Sequence, residues 1–267
     1  PSAVPGAPTM TSVVAGGDGT SLVVTFVEGF TGGSAITDFE YATSIGENTS
    51  SFGAYTSAGT ASPFTITGLA SGTVYTVQLR AKNTAGSGPS SAFQTGVTLA
   101  APTAPAISSI VSGAQKLTIT YGAYSSANDG GSAISKVEYS LDDGVTWADS
   151  GTLSNPFVVS GLVNGQSYSV KLRAINAIGV SSASLATVAI PAAIPAAPQI
   201  ARVSSAEQSV TVTWDAPSSD GGSVITSYKA SAYSASSGGA SVQSCSTATL
   251  TCSITGLTNG SSYYISV

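Results

Sequence analysis

Apolar and polar residues alternate along most of this chain, and the alternation comes in three copies. In the first, Tyr75, Val77, Leu79 and Ala81 share one parity while Thr76, Gln78, Arg80 and Lys82 share the other. A strand with one buried face is predicted there. Before it, Phe64, Ile66 and Leu69 face one way and end in a Gly-containing turn. The run Thr67-Gly-Leu-Ala-Ser-Gly-Thr-Val-Tyr75 returns as Ser160-Gly-Leu-Val-Asn-Gly-Gln-Ser-Tyr168 and as Thr255-Gly-Leu-Thr-Asn-Gly-Ser-Ser-Tyr263, with the leucines spaced by 93 and then 95 residues. A period of that length, filled with strand patterns, predicts three tandem all-β units.

Each unit can be followed strand by strand. In the first, Thr9–Val14 reads as an edge strand next to Pro5 and Pro8. Leu22, Val24 and Phe26 alternate inward, as do Phe39 and Tyr41 after the turn Gly32-Gly-Ser-Ala-Ile36. Residues 45–62 hold one or two weakly specified strands, 84–91 a loop, and 92–98 the last strand. The second unit has the inward series Leu117, Ile119, Tyr121; Val137, Tyr139, Leu141; and Phe157, Val159, Leu162. Asp142-Asp-Gly144 is a hairpin turn signal between Tyr139–Leu141 and Val145–Trp147. The third has Val210, Val212 and Trp214, then Tyr228, Ala230 and Ala232. Pro-containing linkers, Ala100-Ala-Pro-Thr-Ala-Pro105 and Pro191-Ala-Ala-Ile-Pro-Ala-Ala-Pro198, read as semi-rigid spacers. The expected domains are therefore 1–99, 100–190 and 191–267. The third stops inside its sixth strand, which points to a fragment of a longer chain, or else to a partner strand added at the open edge.

Tyr75, Tyr168 and Tyr263 each follow a leucine by six residues at the start of a strand. That placement predicts a tyrosine corner, the ring packed inward and the hydroxyl bonded to the preceding loop. The combined signature Gly-Leu-x-x-Gly-x-x-Tyr-x-Val-x-Leu-Arg-Ala-x-Asn-x-x-Gly resembles the fibronectin type III family, and the likeness covers essentially the whole chain. It implies three immunoglobulin-like β-sandwiches, the third incomplete, with Trp214 at a core position where Phe26 and Tyr121 stand in the other copies. It implies nothing specific about activity, because such sandwiches host many roles.

The two cysteines, Cys245 and Cys252, lie in the third unit. Cys252 aligns with the inward Phe64 and Phe157, and a hairpin would bring Cys245 within bridging distance. A disulfide is favoured over two buried thiols and points to an oxidising, extracellular setting. Only 8% of residues are charged, the net charge is −5 and there is no histidine. The acidic balance argues against nucleic acid; no apolar run is long enough to cross a bilayer as a helix. Without histidine, His-based triads and the usual metal centres are excluded. Phosphate-binding Gly motifs are absent too, and the carboxylate pair Asp142 and Asp143 reads as a polar turn tip. No catalytic residue, cofactor or metal is assigned. Asp129 and Asp220, in Gly-rich loops near the expected junctions, are too sparse to define a calcium site. Arg80, Lys82, Lys171 and Arg173 form an outward basic stripe, either a surface for an anionic glycan or a solvated sheet face.

These features predict a non-catalytic structural or adhesion rod on a cell surface, filament or secreted protein. A virion component such as a phage fibre is the next reading, and spacer domains of a secreted polysaccharide-degrading enzyme the third. Protein or glycan surfaces are the partners to expect, or further copies of the chain in a fibre.

Overall fold

The computed structural model describes residues 2–237 and 239–267, which form β-strands and connecting turns with no helix among them. In the first unit, β1 (Thr9–Ala15), β2 (Leu22–Val27) and β5 (Phe64–Ile66) make one sheet in the order β1-β2-β5. Facing it, β3 (Asp38–Ile45) lies between β4 (Thr56–Gly59) and β6 (Val74–Asn83). The outer edge of β6 is shared by β7 (Gly86–Ser90), which pairs with its second half, and β8 (Gln94–Val97), which pairs with its first. The second unit repeats the plan, with β9 (Ile107–Gly113), β10 (Lys116–Tyr121) and β13 (Phe157–Ser160) opposite β11 (Lys136–Ser140), β12 (Ala148–Asp149), β14 (Tyr168–Ile175) and β15 (Thr187–Ala189). In the third, β16 (Gln199–Ala206), β17 (Ser209–Asp215) and β20 (Thr251–Thr255) face β18 (Tyr228–Tyr233), β19 (Gln243–Thr247) and β21 (Tyr264–Ser266). All-β sandwiches in tandem are what the period-two pattern dictates.

Each sandwich encloses a separate core. Val77, Leu79 and Ala81 meet Leu22 and Val24 in the first; Val170, Leu172 and Ala174 meet Leu117 and Ile119 in the second; Val212, Trp214 and Ile254 meet Ala230 and Ala232 in the third. Full burial of one such aliphatic side chain contributes about 1.5–3 kcal/mol, so the inward series of each strand sets its register.

Three segments depart from the reading of the sequence. Residues 84–91 contain β7 rather than a loop, since Ser87 and Ser90 pair with Lys82 and Arg80. The half of β6 beyond β8 would otherwise present unpaired backbone, and Gly88 lets the added strand lie against the carbonyl of Pro5. Because β7 buries little, it leaves no apolar alternation to detect. Second, 145–147 is not a strand: the pairing resumes only at Ala148, opposite Tyr139. Asp142 accepts the amide and hydroxyl of Thr146 at 2.8 and 2.6 Å, closing a wider turn. Third, Thr76 is fully buried on the supposed outer face of β6. The loop after β3 folds over that face, where the Thr76 hydroxyl donates to the Gly46 carbonyl at 2.7 Å.

Cys245 and Cys252 form a disulfide with their Cα atoms 6.2 Å apart. They do not sit on a hairpin within one sheet. Cys245 on β19 pairs with Ala230 of β18, and Cys252 on β20 pairs with Val212 of β17, so the bridge ties one layer to the other. Its place is informative. Phe64 and Phe157, opposite Val24 and Ile119, occupy the position of Cys252 and pack on Tyr41 and Tyr139 with ring centroids 5.5 and 6.0 Å apart. By register the counterpart of those tyrosines is Ala230, whose small side chain leaves room for the cystine. Trp214 packs on Tyr228 at 5.6 Å and fills the adjoining core, though its indole N–H has no partner among the described residues.

Closing so short a loop constrains the unfolded third unit by about 2–3 kcal/mol. Calorimetry with and without a reductant is therefore expected to show one transition moving to lower temperature, that of the third unit. The transitions of the first two should stay in place.

Candidate functional site

The tyrosines organise the turns at one end of each sandwich. The hydroxyl of Tyr75 accepts the amide of Ala70 at 2.9 Å, that of Tyr168 accepts Val163 at 3.1 Å, and that of Tyr263 accepts Thr258 at 3.0 Å. A phenol anchored in this way holds the following two residues of the turn in a fixed attitude. In the first two units those residues grip the outgoing linker. The Ser71 hydroxyl and Gly72 amide donate to the carbonyl of Leu99 at 2.6 and 3.1 Å. In the second unit the Gly165 amide donates to the carbonyl of Pro191 at 2.9 Å.

The next sandwich takes the linker from the other side, through its Gly-Gly loop. The amide of Ala100 donates to Gly130 at 2.9 Å, and that of Ala193 to Gly221 at 2.7 Å. A Cβ on Gly130 would stand 2.2 Å from the Ala100 carbonyl oxygen, and one on Gly221 2.0 Å from that of Ala193. Only glycine permits this approach, made at positive φ of 73° and 75°. Asp129 and Asp220 turn these loops by accepting the amides of Gly131 and Gly222, each at 2.8 Å. The Asp-Gly-Gly motifs are thus sockets for the incoming chain. Among the described residues, no group of three or more potential ligands gathers there or elsewhere to hold a metal.

Asn176 closes the first joint from inside. Only 4% exposed, it donates to the carbonyls of Ala100 and Asp129 at 2.7 and 2.8 Å and accepts the amides of Ile178 and Gly179. Asn83 does the same in the first unit with the carbonyls of Ala3 and Thr31 at 2.8 and 2.9 Å. This asparagine ends the Arg-Ala-x-Asn run that recurs in both copies. The recurrence was the available signal, but its linker-binding role was not legible in the pattern. Close contacts complete the joints: there is no room for a Cβ between Gly19 and the Ile178 side chain at the first, or between Gly222 and the Gly165 backbone amide at the second.

The basic stripe is engaged rather than free. Arg80 and Lys82 both reach Glu40, at 2.7 and 3.4 Å, and Arg80 lies 3.7 Å from the ring centre of Tyr55. Arg173 pairs with Glu138 at 2.6 Å beneath Trp147, 4.4 Å from its ring centre, while Lys171 pairs with Asp143 at 3.0 Å. Burial opposes the charge on Glu40, yet hydrogen bonds from Arg80 and Ser87 outweigh it and hold the carboxyl below its usual range. Such half-exposed pairs contribute up to about 1 kcal/mol each. Each of the four cations thus has a carboxylate neighbour, Glu40 serving both Arg80 and Lys82.

A family model described as "Fibronectin type III domain" matches residues 6–96 and 196–267. The unit between them repeats the same paired sheets. Exoglucanase B of Cellulomonas fimi is 32% identical over 224 residues, which cover 78% of this chain and 20% of that protein. The chain thus spans about a fifth of the length of that relative. The crystal structure of the FN1–FN3 domains of chicken CNTN1 is similar across 98% of this chain and 91% of its own, at 18% identity and a TM-score of 0.36.

Two outcomes are expected from the side chains that shape these turns. Asn176→Ala leaves the carbonyls of Ala100 and Asp129 without their donor, at a cost of about 1–3 kcal/mol to the second unit. Chemical denaturation should register that loss, and ¹⁵N relaxation should show faster local motion at Ala100 and Ala101. The carboxyl of Asp142, held down to about 2 by the hydroxyl and amide of Thr146 and the hydroxyl of Ser140, stays charged well below the usual 3.8. Its folded-state pKa is depressed, so its contribution is complete above the usual value and is lost as pH falls from there through about 2. A carboxyl ¹³C titration is expected to report that midpoint for Asp142.

Proposed function

Because this chain belongs to the fibronectin type III family, we propose that its three units are non-catalytic spacer modules of a secreted bacterial polysaccharide-degrading enzyme. The likeness to Exoglucanase B, which extends over most of this chain, carries the reading. The joints support it: a spacer must hold its ends apart, and each linker here is gripped by both neighbouring sandwiches. The cystine between layers and the relative's character fit an extracellular place of work. Among the described residues, the sheet-face carboxylates Glu40, Glu138 and Asp149 are held by arginine or lysine. The readings as an adhesion rod or a virion part have no such relative in their support.

The natural protein that carries this chain provides the test. Excising the three units is expected to slow hydrolysis of insoluble cellulose several-fold while leaving turnover of a soluble cello-oligosaccharide unchanged. Equal rates on both substrates with and without the units would refute the spacer role, as would release of sugar from cellulose by the 267-residue chain alone.

A further inference from the structure

The second sandwich alone carries a longer loop between β10 and β11. From Tyr121 to Gly130 it is three residues longer than its counterpart after Phe26, and two longer than the one after Trp214. The extra length folds Tyr124 back so that its hydroxyl donates to the Thr103 carbonyl at 2.7 Å. Beneath the loop a cavity of about 410 Å³ opens between it and the 153–155 segment, lined by Tyr121, Tyr124, Asp129, Ile134, Leu153 and Asn155. That volume lies in the range of small-molecule sites.

The polar groups in this cavity are unevenly used. Asn155 spends both its amide atoms clasping the backbone of Tyr121. Asp129 accepts the Gly131 amide through Oδ1, and its Oδ2 has no hydrogen bond among the described residues. Tyr121 is 6% exposed as a whole residue, and its hydroxyl, which opens onto the cavity, likewise has no hydrogen-bond partner among them. The equivalent residue of the first sandwich is Phe26, buried to the same degree, so the core does not require that hydroxyl. A phenol hydroxyl that opens onto a cavity and is used by no protein group is available to solvent or to a ligand there. Burial, with the Tyr121 hydroxyl nearby, also pushes the Tyr124 phenol up to about 12, so both rings are neutral at ordinary pH.

We propose that this cavity binds one ring of a neutral sugar chain. No lysine or arginine lines it, and the Asp129 carboxylate repels anions. The free carboxylate oxygen accepts from one sugar hydroxyl, and the Tyr121 hydroxyl exchanges a hydrogen bond with a neighbouring one. The tyrosine rings, Ile134 and Leu153 receive the apolar face of the ring. An organic cation would use the carboxylate and the rings but would leave the Tyr121 donor idle, and the sugar is favoured for that reason. The choice of a β-1,4-glucan as first probe rests on the spacer reading; the cavity's geometry does not.

Saturation-transfer NMR on the 267-residue chain with cellotetraose, xylotetraose and mannotetraose tests the proposal. At least one is expected to bind, and Tyr121→Phe, which copies the first sandwich, should weaken it about fivefold at unchanged melting temperature. Asp129→Asn, which keeps an acceptor for the Gly131 amide, should also weaken it. No transfer to any of the three would overturn the proposal, as would undiminished binding by Tyr121→Phe, or binding of tetramethylammonium without any sugar. Sugar binding with no effect of excision on cellulose hydrolysis would refute the spacer alone; the converse would refute the cavity's role alone.

Discussion

A short linker between two sandwiches exposes backbone carbonyls and amides that must find partners, and the way they are paired governs how the sandwiches are joined. Leu99 and Ala100 have almost no unpaired polar backbone left: one side is held by the turn of Ser71 and Gly72, the other by Gly130 and Asn176. The tyrosine hydroxyl lies one step behind that grip. By fixing the turn that follows the Gly-Leu pair, it turns a feature of sandwich packing into a feature of domain order. The second linker has one more residue between its two anchoring points, yet it uses the same two devices.

The third sandwich shows how little of a core is specified by residue identity. Where its siblings place a phenylalanine against a tyrosine, it has a cystine beside an alanine. The two solutions fill the same space between the same strands. They differ in what they demand of the surroundings: the aromatic pair needs only to be kept from water, whereas the cystine needs an oxidising compartment. Trp214 adds apolar bulk, and the burial of its large ring offsets the cost of an unpaired indole N–H.

Charge is sparse in this chain, and on the sheets built around β3 and β11 it is largely spent locally. Glu40 and Glu138 sit at equivalent places, each drawing in an arginine that lies against an aromatic ring. On these two sheets the arginines are thereby held between a carboxylate and an aromatic ring. In the second sandwich the loop after β10 roofs a cavity, and the core aromatic facing it carries a hydroxyl with no hydrogen-bond partner among the described residues.

Period-two alternation and the three repeated Gly-Leu…Tyr runs were enough, without coordinates, to determine three β-sandwiches, their inward residues and their order. These are local consequences of which side of a strand is apolar. Strand β7, the wide turn held by Asp142 and the burial of Thr76 were decided by the tertiary structure, because each depends on backbone or loops supplied from elsewhere in the chain. The same holds for the path of the disulfide: two cysteines seven residues apart read as a hairpin until the strands are seen to belong to opposite layers. The role of Asn83 and Asn176 had to wait as well, since a buried amide takes its meaning from the carbonyls brought to it, and those arrive from 44 to 80 residues away.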